Sequence, residues 1–557
     1  MTATERSLLD VMWNRLLAVV EEQGQALIRS AFSPIVRECG DISAGIFDID
    51  GRMLAQAVTG TPGHINTMAE AVKSLLARFP LAEMAEGDVY LTNDPWLASG
   101  HLNDFLLMAP AFRNGEVVGL TACTSHLVDI GGRGMGPEGE DIFDEGLLIP
   151  PCRLVEGGRL NALLLDIVKA NSREPVANEG DIYALIACCD TGVRRLLEMM
   201  EEYRVETLRP LADHIVETSY RAQVAAIAAT PPGVYRHRLI ADGYETEIAL
   251  AATLTVAADR VTLDFAGTSG CSAKGVNVPL NYAAAYSVFA LRCLIGSEIP
   301  NNAGSLAPFE VTAPPGCILN AQPPAPVAMR HTLGQMTPDL VFGCLAQALP
   351  DQVPAEGASA MWDLPLRSAP ELAWTGGGQF ALELSHNGGT GARPALDGLS
   401  ATAFPSGVWG SQVEISEAVA PILIQRRELI ADSGGAGRMR GGLGQRIEVE
   451  SATAEPFSVF LSVERVRNPA EGRAGGAQGA CGRIRVANAD GPGPDLPGKG
   501  ELRIEPGETL IFETPGGGGF GPPVERADAA VARDLADGLV TEEAARALYR
   551  ASKEDAA

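Results

Sequence analysis

The pair Asn114–Gly115 constrains this chain more than any other two residues. It lies between two apolar runs, Asp104-Phe-Leu-Leu-Met-Ala-Pro-Ala-Phe and Val117-Val-Gly-Leu-Thr-Ala-Cys-Thr. Asn-Gly in that setting predicts a two-residue hairpin turn. Counting outward, Asp104 lies ten residues before Asn114 and His126 eleven residues after Gly115. Both therefore fall at the open end of the ladder, where opposed side chains sit about 5 Å apart. His101 precedes Asp104 by three positions, so one bend aims both side chains at a single point. Such a nitrogen and oxygen set suits Zn, Mn or Fe(II) better than Ca or Mg. The same residues also fit ordinary hydrogen-bonded polar groups at a strand mouth, and the spacing leaves both readings open.

The rest of the chain narrows the class. At 557 residues it exceeds a single core and predicts several domains. Its 43 basic against 70 acidic residues give a net charge of −27, which argues against nucleic acid or an anionic membrane as partner. No apolar run approaches the roughly 18 residues of a membrane span, and MTATERSLLD does not read as a signal peptide. The ten cysteines form no C-x-x-C pair, so a reduced, cytoplasmic protein is expected.

Along the chain, apolar spacing predicts a helix from Ser7 to about Ala31. Ile46 to Leu54 reads as a second hairpin with Asp50–Gly51 at its turn, and Asp41 precedes it as a turn or cap residue or, less simply, as a further ligand delivered from outside the first hairpin. A helix to about Arg78 is expected to be capped by Asn66 or Thr67, which leaves His64 just before it in a loop. The Gly- and acid-rich segment after Arg133, with Glu138, reads as a long loop. Helices are expected over Asp181–Tyr203 and Glu206–Ala229, and Thr230-Pro-Pro-Gly marks a boundary. Strands follow from Gly233 to about Ala266, then a buried helix near Tyr282–Ile295 and another from His331 to Leu349. A Gly/Ser/Trp-rich tract spans Trp374–Gly410, strands dominate Pro421–Thr514, and a helical tail runs from Glu525 to Ala557. The fold class is a multidomain α+β, or mixed α/β, protein. It comprises a metal-binding α+β unit over residues 1–230, a strand-rich mixed unit over 231–425, a β-rich unit over 426–524 and a tail over 525–557.

Three Gly-rich tracts bear on nucleotide binding. Gly134-Met-Gly-Pro-Glu-Gly and Gly516-Gly-Gly-Gly-Phe-Gly match G-x-G-x-x-G in form, but neither follows a strand to open a helix. Asp432-Ser-Gly-Gly-Ala-Gly-Arg-Met-Arg-Gly-Gly reads as an anion nest or, more simply, a tight turn. There is no G-x-x-x-x-G-K-[ST] loop, so the chain shows no ATP site of its own.

Several passages, taken together, resemble the hydantoinase B/oxoprolinase family, which includes N-methylhydantoinase B subunits, part of 5-oxoprolinase, caprolactamase and ketone carboxylases. They are RECGDISAGIFDIDGRMLAQ, GDVYLTNDPWLASGHLNDFLLMAP, SHLVDIGG, EGLLIPP, DIVKANSREP, SGGAGRMRGGLG and TPGGGGFG, in family order. The resemblance implies one divalent metal (Zn, Mn or Fe) on Asp41, His101, Asp104 and His126, which promotes Asp41 from a turn to a ligand. It implies a hydantoinase A-type partner that binds ATP and phosphorylates the substrate oxygen, hence a hetero-oligomer. The implied activity is hydrolysis of a cyclic amide, with ATP-dependent ketone carboxylation, or a non-catalytic metal-stapled subunit, as alternatives. His64 and Glu138 are the candidate proton carriers. The chain departs from the family pattern at Gly521-Pro522-Pro523, where Gly-Asp-Pro is usual, and at Leu127-Val128, where an aromatic often stands.

Overall fold

The computed structural model describes residues 3–58, 60–369 and 379–550. Its first sheet has seven strands: β1 (Ile42–Phe47), β2 (Met53–Gln56), β3 (Val89–Thr92), β4 (Asp104–Arg113), β5 (Glu116–His126), β6 (Cys152–Glu156) and β7 (Arg159–Leu160). Their order is β2-β1-β5-β4-β3-β6-β7, so the predicted hairpin is the centre of the sheet. Asn114 and Gly115 have φ of 53° and 82°, the paired left-handed geometry that matches strand twist. Asp104 pairs directly with His126.

Both faces of this sheet are covered, which is why its central strands read as unbroken apolar runs. Phe105, Leu107, Ala109 and Cys123 face a core shared with the helices Ala3–Ser30 and Pro175–Glu202. Leu106, Met108, Leu120 and Ala122 face the opposite core, against the helix Pro62–Arg78. Side chains alternate along a strand, so Asp104 and His126 share the parity of Leu106 and Ala122. They are thus turned toward the side on which Pro62–Arg78 begins.

That helix starts earlier than expected. Thr61 caps it, its Oγ1 accepting from the His64 amide at 3.2 Å, with Pro62 in the first turn. Pro62 was the available signal, since proline at the first helical position costs no hydrogen bond. Asn66 instead donates to the Ala285 carbonyl, and Thr67 back-bonds to the Gly63 carbonyl. His64 is therefore helical and rigidly placed.

A second, four-stranded sheet (Gly233–Ala241, Ile248–Val256, Val261–Asp264, Phe309–Thr312) packs with the helix Leu280–Leu294. The helix expected from His331 to Leu349 is broken into His331–Gly334 and Thr337–Leu345. Pro338 has no amide proton to continue the first segment and starts the second. Two further sheets, one of four strands with Ala381–His386 at its edge beside Trp362–Ser368 and one of five strands, share one core around Trp362, Leu364, Val449 and Phe512. Strands of that core lie on both sides of residue 425, and the boundary placed there falls inside the strand Ile422–Leu429. Trp374 to Gly378 and the end of the tail, 551–557, lie outside the described residues.

The two C-terminal glycine tracts, Asp432–Gly442 and Gly516–Gly521, pack on one another instead of cradling a phosphate. The Gly435 amide donates to the Gly517 carbonyl, Gly517 to Gly442, and Gly442 to Thr390, at 2.8–3.0 Å. A Cβ on Gly441 would lie 1.9 Å from the Gly517 oxygen, and one on Gly517 would lie 2.0 Å from the Thr390 oxygen. Only glycine allows three backbones to approach this closely. With their amides spent on carbonyls, Gly435, Gly442 and Gly517 form neither an anion nest nor an isolated tight turn.

Candidate metal centre

The Asp104 carboxylate lies at the middle of the site, fully buried. His101 Nε2 is 2.7 Å and His126 Nδ1 3.1 Å from its Oδ1. His64 Nε2 is 3.0 Å and an Arg330 amino group 2.6 Å from its Oδ2. Each histidine reaches it by a separate device. His126 ends β5 and is opposite Asp104 by strand register. His101 follows Gly100, whose φ of 88° makes the bend; a Cβ there would lie 2.8 Å from Arg330 Cδ, so glycine leaves room for that side chain. His64 comes from the first turn of its helix.

Neighbours of these histidines set which ring nitrogen is free. His101 Nδ1 is 3.0 Å from the Ala328 carbonyl, which fixes its proton there and leaves Nε2 with a lone pair. His126 Nε2 is 2.9 Å from Glu383 Oε1, which leaves Nδ1 toward Asp104. A histidine that presents one nitrogen inward and donates the other to a carbonyl or carboxylate is the usual outer support of a metal site. Glu145 adds a further layer: its Oε1 accepts the amides of Val327 and Ala328, at 2.6 and 2.8 Å.

Asp41 joins the same cavity. Its carbonyl accepts the His126 amide at 3.3 Å, and its Oδ1 lies 3.5 Å from His64 Nδ1. That Oδ1 and His64 Nδ1 are buried without a hydrogen-bond partner. Buried polar atoms are rarely left unpaired, so the pair wants an occupant between them. The donor set fits a cation. Ligand atoms of His101, Asp104 and His126 all lie within 4.8 Å of one another, and bonds of about 2.0–2.2 Å place ligand atoms roughly 3 Å apart. The space remaining in the cavity is about 20 Å³, roughly one water.

The electrostatics also suit a metal. Burial alone would push the Asp104 carboxyl up, but His101, His64 and Arg330 outweigh it and hold the group well below the usual range. Burial, helped by Arg330, lowers His101 to about 3, so its ring is neutral. Burial would lower His126 too, yet Glu383 and Asp104 raise it well above the usual histidine value.

Sequence reading missed half of the cavity wall. His331 lines it, 1% exposed, with neither ring nitrogen partnered. Asp363 lines it with a free Oδ2, its carboxyl pushed well up by burial and by Glu383. Tyr282 and Tyr286 complete it with Arg330, which stacks over the Tyr282 ring at 4.1 Å. His64 is brought into the site rather than kept in a loop. Glu138 is placed elsewhere: its Oε1 accepts from the Tyr244 hydroxyl at 2.5 Å, and Lys274 lies 3.8 Å away.

The sequence model of the hydantoinase B/oxoprolinase family matches residues 5–523. The chain belongs to that family. Among curated relatives, the caprolactamase subunit beta of Pseudomonas jessenii is 30% identical over 566 residues, covering 97% of this chain and 95% of the relative. Among solved structures, the ATP-dependent caprolactamase from Pseudomonas jessenii superposes with a TM-score of 0.89 at 28% identity, over 97% of this chain and 95% of the other. A nucleotide-free acetone carboxylase matches with a TM-score of 0.85 over 98% of this chain and 80% of its own, but at 22% identity this shows the fold alone. Relatives named as a hydantoinase subunit, a caprolactamase subunit and 5-oxoprolinases make this an enzyme family, and the structural matches confirm the mixed α/β, multidomain class.

Proposed function

We propose that this chain is the metal-dependent subunit of an ATP-dependent cyclic amidohydrolase. A hydantoinase A-type partner phosphorylates the amide oxygen, and this chain then opens the ring. One observation carries the reading: ligand atoms of His101, Asp104 and His126 lie within 4.8 Å of one another beside a buried cavity that Asp41 also lines, in a chain similar over 97% of its length to an ATP-dependent caprolactamase. The partner is supported by the relative's name as a subunit and by glycine amides here that are spent on backbone carbonyls.

Asp41, His101, Asp104 and His126 would hold one Zn, Mn or Fe(II) ion. Once bound, such an ion lowers the pKa of water from 15.7 toward about 7 and polarises a carbon–oxygen group. The protein's own groups prepare for that step. The Ala328 carbonyl and Glu383 lock the two imidazoles, and Arg330 balances the second oxygen of Asp104. His331 and Asp363 carry unpartnered atoms on the cavity wall, and burial keeps the His331 ring well below the usual histidine range and so neutral. A neutral imidazole donates from one nitrogen and accepts at the other, which lets it hold and orient the one water for which the cavity has room. Tyr282, Tyr286 and Met361 close the wall against bulk water.

The test is phosphate release from ATP by the chain plus an A-type partner. ε-Caprolactam and 5-oxoproline form one arm, and acetone or acetophenone with bicarbonate forms the other. Release that depends on a cyclic amide supports the reading. Release only with ketone and bicarbonate replaces it with a carboxylase. Metal retention without release in either arm makes the chain an assembly subunit.

A further inference from the structure

Among the described residues, the second sheet buries one face and leaves the other open. Its strands run in the order Phe309–Thr312, Val261–Asp264, Ile248–Val256, Gly233–Ala241. Leu239, Leu250, Leu254, Val261 and Leu263 point into the core that holds the helix Leu280–Leu294. Residues of the other parity share the opposite face, and strand register sets them in rows. One row reads Arg236, Thr253, Asp264, Thr312, and the next reads Val234, Thr255, Thr262, Glu310. Arg238 pairs with Ala251 on the other side of the first row. Thr312 Oγ1 donates to Asp264 Oδ1 at 3.4 Å along this face. Each of these residues is exposed or half-buried, and Val234 is 50% exposed.

The open face is divided by charge. Its centre, on the strand Ile248–Val256, is low and uncharged: Ala249, Ala251, Thr253 and Thr255. Arg236 and Arg238 stand along one edge, on the strand Gly233–Ala241. Asp264 and Glu310 stand on the two strands at the other edge. Among the described residues, none of these four side chains forms an ion pair. Glu247 precedes its strand and lies outside the paired rows. The chain carries 43 basic against 70 acidic residues, so two adjacent arginines without a carboxylate partner run against its overall balance.

We propose that this face packs against the same face of a second copy of the chain, about a two-fold axis parallel to the strands. That axis keeps the strands of the two sheets nearly aligned, a common geometry for stacked sheets, and it exchanges their edges. Arg236 and Arg238 of each copy then oppose Asp264 and Glu310 of the other. The contact is self-complementary, as an isologous interface requires. A two-fold axis across the strands would set arginine on arginine. A partner surface of one sign, acidic or basic, would be repelled at one edge, whereas a second copy satisfies both. The small central residues let the two sheets approach. Strands about 4.8 Å apart with a rise of about 3.3 Å per residue give a face of roughly 400 Å² in plan, the size of a weak, reversible contact. The inference does not depend on the metal or on the proposed reaction.

The test is sedimentation equilibrium of the full chain at low salt, from about 5 to 500 µM, where a monomer–dimer equilibrium with a Kd of about 10–100 µM is expected. Arg236→Glu with Arg238→Glu makes both edges acidic, and Asp264→Lys with Glu310→Lys makes both basic. Each double variant should self-associate at least tenfold more weakly than the wild type. An equimolar mixture of the two should recover dimers, because every edge then meets its opposite. Ala251→Gln leaves the charges intact, props the faces apart and should also weaken the dimer at least tenfold, while circular dichroism confirms that each variant is folded. A wild type that stays monomeric overturns the proposal. So do variants that associate as the wild type does, or a mixture that recovers nothing. If the wild type is monomeric and the charge variants instead lose binding to an A-type subunit, the face belongs to that subunit and the second copy is excluded.

Discussion

Glu383 is 257 residues from His126 in sequence and 2.9 Å from it in space. Its role is to hold the His126 ring with Nδ1 inward, so Glu383→Gln should lower metal affinity about 10–100-fold, the usual cost of losing an outer-shell partner. Competition with a chelator measures this, and unchanged affinity would remove Glu383 from the site. His126 sharpens the pH behaviour. Its raised pKa means that it is protonated in the metal-free protein near neutrality, and a ligand must be deprotonated to bind. Metal binding should therefore release a proton, and affinity should rise with pH; titrations in buffers of different ionisation enthalpy read the proton directly. At this scale the sequence disclosed what lies close along the chain. Asp104, His126 and His101 were legible because a turn and a strand period fix their relation. Asp41 reads locally as a turn residue or a further ligand, and only the resemblance favours the second; His331, Asp363 and Glu383 carry no spacing signal, since tertiary packing alone brings them in.

The hairpin β4–β5 is the element that local rules specify best, because two residues with positive φ set its register and one register sets the site. The glycine tracts are the opposite case. A glycine run reads locally as a turn or phosphate loop, and only the partner strands, distant in sequence, reveal backbone-to-backbone packing. Gly517→Ala should therefore destabilise by about 3 kcal/mol or more, the upper range for inserting a methyl where nothing can yield. Gly507→Ala, at a positive φ with nothing within 4 Å, should cost only about 1 kcal/mol of backbone strain. Equal Tm losses for the two would contradict the packing. The clip made by Glu145 behaves as a pH-sensitive element. Burial raises its carboxyl from 4.5 to about 8, so the protonated form is favoured on folding. Its stabilisation is full below about 4.5 and is lost as pH rises through about 8. Glu145→Gln keeps an acceptor oxygen for Val327 and Ala328 and should flatten the decline of Tm between those limits; an unchanged slope would place the titration elsewhere.

For the whole molecule, the cavity is composite. The proposed ligands come from the first sheet and the segments that enter it, His64 from its flanking helix, Arg330 and His331 from the start of the broken helix, and Asp363 and Glu383 from two neighbouring strands of a later sheet. This explains why residues 1–230 contain the whole proposed ligand set while the cavity wall extends far beyond them. No described helix is long and apolar enough to cross a membrane. Every step of the proposed chemistry requires one cation among four side chains. Anomalous diffraction at the absorption edge of the metal found in the purified protein locates that cation directly. The account predicts a single strong peak about 2.0–2.2 Å from atoms of Asp41, His101, Asp104 and His126. A protein without such a peak, or with the metal bound away from these four residues, would contradict it.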